Sequence, residues 1–416
     1  MSEYNNELIE SPKYWEVKKL KDIIIYKKGI KPKELHIKKV NDNYLPYLTA
    51  EYLRGESKPK YVNPNENKII VAEPEDILMI WDGSGAGDLF IGFKGIVAST
   101  FVCIKCNKNI IYPKYLYYYL LKKAETLKQR TKGTGIPHIN KETFENLLIP
   151  IPPLEEQKKI AEILNNVDSI ISDTTNLIEK LKLLKEKSLN LLITGKIWHK
   201  EFKDTEIGEF PKEWEVKRLK DVIIKAKSGG TPRTNVPEYW NGNISFAKAQ
   251  DITKSSKYLH NTEEFITEKG LENSNAWIVP KDSLLLTIYG STLGFLAINK
   301  IPVATNQQII GIIPNKNIID IEFLYYWYLY FKPYWSRFIR KDAIPHLTHE
   351  IVLNNLIPIP PLEEQKKIVE ILSTIDNKIE TETKYLDYMK KLKEKLLAAL
   401  MTGKIRVNSI AIGDLK

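Results

Sequence analysis

Two segments of this chain carry the same sequence, and this internal repeat constrains the fold more than any other feature. Leu148–Ile160 reads LIPIPPLEEQKKI, and Leu356–Ile368 repeats the same thirteen letters 208 positions later. An earlier pair also matches: Trp15–Asp22 reads WEVKKLKD and Trp214–Asp221 reads WEVKRLKD. Each half of the chain is therefore a variable block followed by a shared block. Two long copies predict a duplicated two-domain protein rather than a solenoid of many short repeats.

The composition is that of a packed globular protein with an anionic partner. Of the 416 residues, 43% are hydrophobic and 10% are aromatic, which is too apolar for a disordered chain and enough for two domains. The 62 Lys and Arg residues outnumber the 52 Asp and Glu residues, and the net charge of +10 favours nucleic acid as the partner. A lysine-rich composition that reflects the codon usage or thermal habitat of the host is the alternative.

The sequence predicts a cytoplasmic protein without a bound metal. Its N-terminal segment MSEYNNELIESPKYW lacks the apolar core of a signal peptide, and no stretch approaches ~18 uninterrupted apolar residues. Cys103 and Cys106 form a single CxxC, and a structural zinc site would need a second pair of ligands. We therefore expect both cysteines to be ordinary strand residues.

The shared block predicts one long helix in each half. Prolines precede Leu154 and acidic residues follow it, while Gly195 and Gly403 mark the two helix ends. A helix of roughly 35–40 residues is about 50–60 Å long, and its apolar stripe needs a partner helix. We expect that partner to be the other copy, running antiparallel. Packing of each helix on its own domain is the alternative, which the length disfavours. The predicted seam consists of Ile160, Ile163, Val167, Ile170, Leu177, Leu181, Leu184, Ile368, Ile371, Ile375, Ile379, Leu386 and Met389.

The variable blocks predict two domains built on one scaffold. Residues 15–149 and 214–357 contain short runs rich in Ile, Val, Leu and Tyr that are broken by Gly, Pro and Asn, which favours a mixed sheet. Each block ends in an aromatic helix-like stretch followed by Ile-Pro-His. The middles of the blocks have diverged, so the two copies share a frame and differ in surface.

The predicted fold class is α+β or mixed α/β, with two globular domains separated by an antiparallel coiled coil of two long helices and an internal pseudo-twofold duplication. The expected segments are a first domain in residues 1–152, a long helix in 153–198, a second domain in 199–360, a second long helix in 361–407 and a C-terminal tail in 408–416.

Sequence motifs for catalysis are missing. Gly83–Gly87 reads GSGAG after a strand-like run, but the second copy keeps only Gly290 and Gly294, which favours a tight strand connection over a nucleotide or S-adenosylmethionine site. The Asp/Asn-Pro-Pro-Tyr/Phe tetrapeptide of amino-methyltransferases does not occur. His138 and His346 recur after Ile-Pro without a paired nucleophile, so helix capping or a phosphate contact fits them better. The sequence therefore predicts no catalytic residue.

Basic and polar residues at the ends of the predicted strands are the candidates for binding nucleic acid. Arg and Lys neutralise phosphates, while Asn and Gln can bond bidentately to adenine edges. For any single lysine, a solvated surface position is the alternative. The candidate DNA contacts are Lys28, Lys31, Trp81, Ser84, Arg130, Lys132, His138, Ser228, Thr231, Arg233, Tyr289, Ser291, Gln307, Gln308, Arg340, Lys341 and His346.

Together these features resemble one family. The duplicated Ile-Pro-Ile-Pro-Pro-Leu-Glu-Glu-Gln that opens each long helix, the paired Trp-Glu-Val-Lys starts, Ser228–Pro232 (SGGTP) and the two Ile-Pro-His segments are similar to the specificity subunit of type I restriction–modification systems over essentially the whole chain. One departure is Gly29–Pro32 (GIKP), which stands in the first half where the second half has the fuller SGGTP.

The resemblance implies a non-catalytic DNA-recognition subunit. Two target-recognition domains would each read one half of an asymmetric, bipartite site in the major groove, and the coiled coil would set the gap; its ~50–60 Å exceed one duplex turn of ~34–36 Å. The implied partners are double-stranded DNA, two methyltransferase subunits and restriction/translocase subunits. S-adenosylmethionine, ATP and Mg²⁺ would bind those partners and not this chain. The alternatives are a self-contained DNA methyltransferase and a nonspecific DNA-binding coiled-coil spacer.

Overall fold

The structure is a computed structural model that describes residues 12–129, 137–337 and 345–407. The chain divides into two compact units: Met1–Asn176 with Lys384–Lys416, and Leu177–Thr383. The predicted globular segments 1–152 and 199–360 each fall within one unit, whereas the long-helix segments 153–198 and 361–407 are each shared between the units. None of the helices in the described ranges has an apolar stretch that could span a bilayer.

The elements of the first unit are β1 (Glu16–Lys19), β2 (Ile24–Lys28), β3 (Leu45–Leu48), α1 (Ala50–Leu53), β4 (Tyr61–Val62), β5 (Val71–Ala72), β6 (Ile77–Ile80), β7 (Leu89–Phe90), β8 (Gly95–Val97), β9 (Phe101–Cys106), α2 (Pro113–Gln129), α3 (Lys141–Glu145), β10 (Leu148–Ile151) and the first part of α4 (Leu154–Ile193). A short 3-10 turn at Leu20–Asp22 follows β1. The sheets have the strand orders β2-β9-β6-β7, β4-β3-β8-β5 and β1-β10.

Strands β6 and β9 form the centre of the first unit, because both of their faces are covered. Along a strand, alternate side chains point to opposite faces. Ile77 and Met79 pack in one core with the aromatic helix α2, while Leu78 and Ile80 pack in another core with β3 and β8. The continuous run Ile-Leu-Met-Ile is therefore buried throughout, as a strand covered on both sides requires.

The elements of the second unit are β11 (Phe202–Thr205), β12 (Gly208–Pro211), β13 (Glu215–Arg218), α5 (Leu219–Val222), β14 (Ile223–Ser228), β15 (Trp240–Ala247), α6 (Ala249–Lys254), β16 (Tyr258–Leu259), β17 (Glu264–Ile266), α7 (Glu268–Glu272), β18 (Ile278–Val279), β19 (Leu284–Thr287), β20 (Leu296–Asn299), β21 (Val303–Thr305), β22 (Ile309–Pro314), α8 (Ile321–Phe331), α9 (His349–Leu353), β23 (Leu356–Ile359) and parts of α4 and α10 (Leu362–Leu400). Short 3-10 turns occur at Pro237–Tyr239, Gly290–Thr292 and Lys332–Arg337.

The second unit repeats the frame of the first. Its sheets have the strand orders β14-β22-β19-β20-β16, β17-β15-β21-β18, β13-β23 and β11-β12. Leu284 and Leu286 of β19 pack with the aromatic helix α8, while Leu285 lies in the core on the opposite face with Val303. Strands β19 and β22 therefore correspond to β6 and β9, and the predicted common scaffold is present in both copies.

A β-bulge explains the departure between GIKP and SGGTP. In the first unit Lys28 pairs with Val102, and in the second unit Ser228 pairs with Ile310, the residue 208 positions after Val102. The register of β14 shifts between Ile223 and Lys225, which absorbs one extra residue of the second copy. Lys28-Gly29-Ile30-Lys31-Pro32 is therefore the structural counterpart of Ser228-Gly229-Gly230-Thr231-Pro232.

The two long helices run antiparallel in each unit. In the first unit, Asp168 of α4 forms an ion pair with Lys393 of α10, and Glu156 pairs farther along with Arg406. In the second unit, Lys185 of α4 pairs with Asp376 of α10, and His199, shortly after α4, lies 2.7 Å from Glu364 in the first turn of α10. In each unit the contact that lies later along one helix lies earlier along the other, as the predicted antiparallel coiled coil requires.

The phase of the predicted seam is partly wrong. Leu177, Leu184 and Ile371 have exposed fractions of 38%, 49% and 40%, whereas Ile178 and Leu372 are buried. Ile160, Val167, Ile368 and Met389 are buried as predicted, and the remaining predicted seam residues are partly buried: Ile163, Ile170, Leu181, Ile375, Ile379 and Leu386.

The observed seam runs through positions 160, 164, 167, 171, 174, 178, 181, 185, 188 and 192, and through their counterparts in the second helix. Counted from Ile160, successive positions of the observed seam are four and then three residues apart. In the predicted seam they were three and then four residues apart. Leucine and isoleucine occupy both stripes, so an apolar count could not separate them. The observed stripe also includes Thr174 and Lys185, which the predicted seam did not contain.

Candidate nucleic-acid interface

In the second unit, three strands end or begin at one edge of the main sheet. Strands β14 and β19 are both antiparallel to β22, so the ends of β14 and β19 meet the start of β22. Ser228 lies at the end of β14, Tyr289 shortly follows β19, and Gln307 and Gln308 immediately precede β22. The tertiary structure therefore brings together polar residues that are separated by up to 80 positions in the sequence.

The SGGTP turn positions Thr231 at this edge. A Cβ atom on Gly229 would lie 1.8 Å from the carbonyl oxygen of Thr305, so the close backbone approach at this position requires glycine. The N–H of Gly230 donates to the same carbonyl over 3.0 Å. The hydroxyl of Thr231 then donates to Oε1 of Gln307 over 2.7 Å. Because Oε1 is held by this bond, the side-chain amide of the exposed Gln307 has a defined orientation.

The Pro-His segment forms the other side of the same edge. The N–H of Gly290 donates to the Pro345 carbonyl over 2.9 Å, and the N–H of Leu347 donates to the Ile288 carbonyl over 3.0 Å. This pairing stacks the rings of Tyr289 and His346, with centroids 5.1 Å apart and an interplanar angle of 8°. The repeated histidine is therefore part of the surface at the strand ends.

The first unit builds the same edge from different side chains. Lys28, at the end of β2, forms an ion pair with Asp82 at 2.5 Å. Asp82 forms an antiparallel bridge with His138, and the N–H of Gly83 donates to the Pro137 carbonyl over 2.9 Å. His138 is exposed. The frame of strand ends and Pro-His segment is common to both units, but a lysine–aspartate pair stands near the place where the second unit has a hydroxyl–amide pair.

The rings of Trp81 and Tyr289 have different neighbours although both follow equivalent strands. The Trp81 ring stacks on Tyr26 with centroids 5.6 Å apart and meets Phe144 edge-on at 5.3 Å. It therefore stabilises the frame from inside, with part of its surface exposed. Tyr289 has an exposed fraction of 36% and stacks on His346 instead.

The glycine-rich loop after β6 is a closed turn. The N–H groups of Gly83, Ala86, Gly87 and Asp88 donate to protein carbonyls, those of Pro137, Gly83, Ile80 and Gly85 respectively. A phosphate cradle needs such groups to point at the ligand. The geometry therefore supports a strand connection, and it does not fit the nucleotide or S-adenosylmethionine site.

The remaining candidates divide into three groups. Lys31, Ser84, Arg233 and Ser291 are exposed, while Ser228 and Gln308 are partly buried. The backbone carbonyl of Arg233 accepts a hydrogen bond from Nε1 of Trp240 over 3.1 Å, which ties Arg233 to the first residue of β15. Arg130, Lys132, Arg340 and Lys341 lie outside the described residues.

Asp82 and Thr100 belong to the first edge, and sequence reasoning missed both. The Thr100 carbonyl accepts the N–H of Trp81 over 2.7 Å and that of Asp82 over 3.3 Å, and Thr100 itself is exposed. The available signal was positional, because Thr100 immediately precedes β9 just as Gln308 precedes β22. Asp82 directly follows the aromatic residue at the end of β6.

The cysteines are ordinary strand residues, as predicted. Cys103 lies within β9 and Cys106 ends it, and both are free thiols. Burial raises the pKa of both thiols to about 12, with a further contribution from Asp76. Across the described residues, no group of three His, Cys, Asp or Glu side chains is arranged to hold a metal ion.

Comparison with known proteins identifies sequence relatives over almost the whole chain. A family model described as the type I restriction modification DNA specificity domain matches residues 12–183 and again 211–390. The type I restriction enzyme MjaVIII specificity subunit of Methanocaldococcus jannaschii is 38% identical over 408 residues, which cover 96% of this chain and 95% of that protein. The EcoR124I/EcoR124II specificity subunit of Escherichia coli is 25% identical over 382 residues, covering 88% and 87%.

Solved structures share the fold at lower identity. The S subunit of a type I restriction–modification system from M. genitalium matches with a TM-score of 0.61 and 19% identity, covering 96% of this chain and 98% of that one. A chain from a type I R-M system studied for complex assembly and conformational transition matches with a TM-score of 0.53 and 18% identity, covering 95% and 99%. These matches confirm the predicted fold class, with two repeats of mixed helix and sheet content and long helices.

Proposed function

The chain belongs to the type I restriction–modification DNA specificity family, and from that membership we propose how its two strand-edge surfaces divide the reading of DNA. The protein is a non-catalytic specificity subunit that recognises DNA. Each of the two surfaces contacts one half of an asymmetric, bipartite site. The observation that carries this proposal is the repetition of one frame, built from strand ends and a Pro-His segment, with different side chains in each copy.

The first surface has the chemistry of a phosphate and guanine contact. Lys28 is half exposed, and Lys31 is exposed on the following loop. Ammonium groups neutralise phosphates and donate to the acceptors of guanine in the major groove. Asp82 holds Lys28 in one direction at 2.5 Å, so the ammonium is oriented before DNA arrives. The aspartate also repels phosphate, which favours a base edge over the backbone for this particular lysine.

The second surface has the chemistry of an adenine contact. A glutamine amide can accept from N6 of adenine and donate to N7 at the same time. In this chain Thr231 occupies only one lone pair of Gln307 Oε1, which leaves the second lone pair and both amide protons for a base. Because this bond orients the amide beforehand, less side-chain entropy is lost on binding.

We assign the catalytic steps and their cofactors to partner subunits. Two adenine-methyltransferase subunits and the restriction/translocase subunits would assemble on this chain, with S-adenosylmethionine bound to the former and ATP and Mg²⁺ to the latter. Exposed apolar side chains on the long helices support protein contacts there: Leu183 and Leu184 in the second unit, and Tyr385 and Tyr388 in the first, are 42–61% exposed. Calorimetry with the purified chain and S-adenosylmethionine should show no binding, and tight binding would favour a self-contained methyltransferase.

The decisive experiment is to co-express the chain with its adenine-methyltransferase subunit and to map methylated adenines across the host genome. The expected result is one split motif with a constant gap, absent when the methyltransferase is expressed alone. Scattered methylation would contradict sequence reading and favour a nonspecific spacer. To separate backbone from base contacts, Lys31→Met should weaken binding to all sequences alike and lower the salt dependence by about one unit of slope.

A further inference from the structure

One carboxylate in the first unit joins three separate parts of the chain. Asp168 of α4 accepts a hydrogen bond from the hydroxyl of Tyr118 over 2.8 Å, and Tyr118 belongs to α2 of the globular portion. The other carboxylate oxygen lies 2.6 Å from Nζ of Lys393, which belongs to α10. A single side chain therefore connects its own helix, the antiparallel helix and the domain helix.

The second unit contains the same junction with the helices exchanged. Asp376 of α10 accepts from the hydroxyl of Tyr326 over 2.8 Å, and its other oxygen lies 2.6 Å from Nζ of Lys185 on α4. Each of these three residues stands 208 positions from its counterpart. Asp168 lies opposite Lys393 in the first unit, and Asp376 lies opposite Lys185 in the second. The two helices are therefore aligned in the same way in both units.

The two lysines occupy positions that an apolar residue would ordinarily fill. Positions 185 and 393 lie on the four-three seam that also contains the buried Leu192 and Leu400, and their side chains are only 24% and 27% exposed. A partly buried ammonium is costly unless it is paired. The pairs also lie partly out of solvent, with aspartate side chains 34% and 21% exposed, so salt screens them less than surface pairs.

In the middle of the seam, apolar contacts alone do not define one alignment. A slip by one heptad would place isoleucine and leucine against similar residues there, while at the helix ends it would pull Leu192 and Leu400 out of the cores of their units. The same slip would move each lysine away from its aspartate and would leave two charges unpaired in the seam. A single polar seam position is known to select one register of a coiled coil at some cost in stability. The charge pairs therefore discriminate between alignments in the middle of the seam, where the apolar side chains do not.

We propose that Asp168–Lys393 and Asp376–Lys185 set the register of the two long helices, and that Tyr118 and Tyr326 attach each globular portion to that register. These are positioning residues, and their functional consequence is a single allowed gap between the two DNA half-sites. A slip of one heptad moves one helix by about 10 Å along the other, which corresponds to roughly three base pairs of duplex. The consequence for DNA rests on the proposed function, whereas the helix register does not.

The first test removes the charges and keeps the aliphatic stems. The double variant Lys185→Met/Lys393→Met, co-expressed with the methyltransferase, should methylate additional sites whose gap differs by about three base pairs. Discrimination between the original and the altered gap should fall about tenfold, in line with coupling between contacting charged residues. The melting temperature should fall, because each partly buried aspartate loses its lysine and keeps only its tyrosine hydroxyl, so the gap and not the melting temperature tests the register. If the ion pairs only stabilise the fold, the gap should not change.

The matched control is Lys366→Met. Lys366 pairs with Glu363 of its own helix at 2.8 Å, and the two side chains are 62% and 80% exposed, so this change removes a lysine from α10 without removing a partner of a seam residue. It should leave the gap single. An unchanged single gap in the double variant as well would overturn the proposal.

A second readout is independent of DNA. Leu164 and Leu397 both contribute to the core of the first unit. Leu164 lies four residues before Asp168 and Leu397 four residues after Lys393, so the two leucines occupy opposite positions in the antiparallel alignment. Leu164→Cys/Leu397→Cys reports this register by oxidative cross-linking, and Leu164→Cys/Lys390→Cys reports a slip of one heptad; Leu164→Cys alone controls for the native cysteines. The slipped pair should cross-link only with methionine at 185 and 393. Equal cross-linking of the slipped pair with and without the lysines would refute the register role, even if the wild-type complex showed no split motif and the proposed function itself failed.

Discussion

Oε1 of Gln365 accepts the backbone N–H of Asp320 over 2.8 Å, directly before helix α8. Its amide nitrogen donates to the carbonyls of Ile318 and Pro360, over 3.0 and 2.8 Å, and the side chain is fully buried. Gln157 makes the corresponding three bonds in the first unit, accepting the N–H of Tyr112 over 2.7 Å. The last letter of the repeated PPLEEQ therefore ties the start of each long helix to the loop before the aromatic helix.

Replacing this glutamine should destabilise the unit that contains it. Gln365→Ala leaves the N–H of Asp320 and two carbonyls without partners in a buried place, which should cost about 3 kcal/mol. Thermal unfolding of the isolated chain measures this loss. Gln250→Ala removes an exposed glutamine of the same unit and should change the melting temperature little. Equal melting temperatures for the two variants would contradict the bonding described.

The close approach at Gly229 should make that position intolerant of any side chain. In Gly229→Ala the new methyl group would meet the Thr305 backbone, which cannot move aside as a flexible side chain could, so we expect a loss above ~3 kcal/mol. Gly290 has φ +66° and open space around it, so Gly290→Ala should cost only about 1–2 kcal/mol of backbone strain. Denaturant unfolding of both variants checks the difference, and the opposite ranking would show that the turn differs from the one described.

The phase of the helix seam can be tested within one helix and one unit. Leu192 is fully buried and Leu184 is 49% exposed. Leu192→Asp should cost about 4 kcal/mol or more, because it buries an unpaired carboxylate, while Leu184→Asp should change stability by no more than ~0.5 kcal/mol. Melting of the isolated chain gives both values. A large loss with Leu184→Asp would restore the three-four stripe expected from the sequence.

Removing the oriented amide should change the sequence of one half-site only. Gln307→Ala deletes the side chain that Thr231 holds at 2.7 Å, and loss of a bidentate base contact costs about 1–3 kcal/mol of discrimination. The methylation map should then relax at a position of one half-site while the other half-site and the gap stay constant. Gln250→Ala serves again as the control. Relaxation of both halves, or of neither, would remove Gln307 from the reading surface.

The two cysteines should resist alkylation while the chain is folded. Burial raises the pKa of the Cys103 and Cys106 thiols to about 12, so at pH 8 the thiolate fraction is on the order of 10⁻⁴. The thiolate is the reactive form, and a raised pKa keeps the thiol protonated. Mass spectrometry after iodoacetamide at pH 8 should show the unmodified native chain and a doubly modified denatured chain. Rapid modification of the native chain would contradict the buried placement.

The tertiary structure decided which of two apolar stripes became the seam. Ile163, Leu177 and Leu184 form one stripe of heptad spacing, and Leu164 and Ile178 belong to a neighbouring one. A period of 3.5 residues is satisfied by both, so the periodicity predicts a coiled coil without its phase. The phase depends on which face meets Lys393 or Asp376 across the helix pair, and that is a contact between segments about 200 positions apart.

The chain by itself determined what is local or repeated: two copies of one frame, long helices with proline before them and glycine after them, and a Pro-His segment after each aromatic helix. These are properties of short windows, because caps, turns and heptads involve residues that are neighbours in sequence. The pairing of Lys28 with Asp82, the bond from Thr231 to Gln307 and the stack of Tyr289 on His346 join residues 54 or more positions apart. Only the folding of strands into one sheet brings such residues together, because sheet register and loop geometry are set by long-range packing.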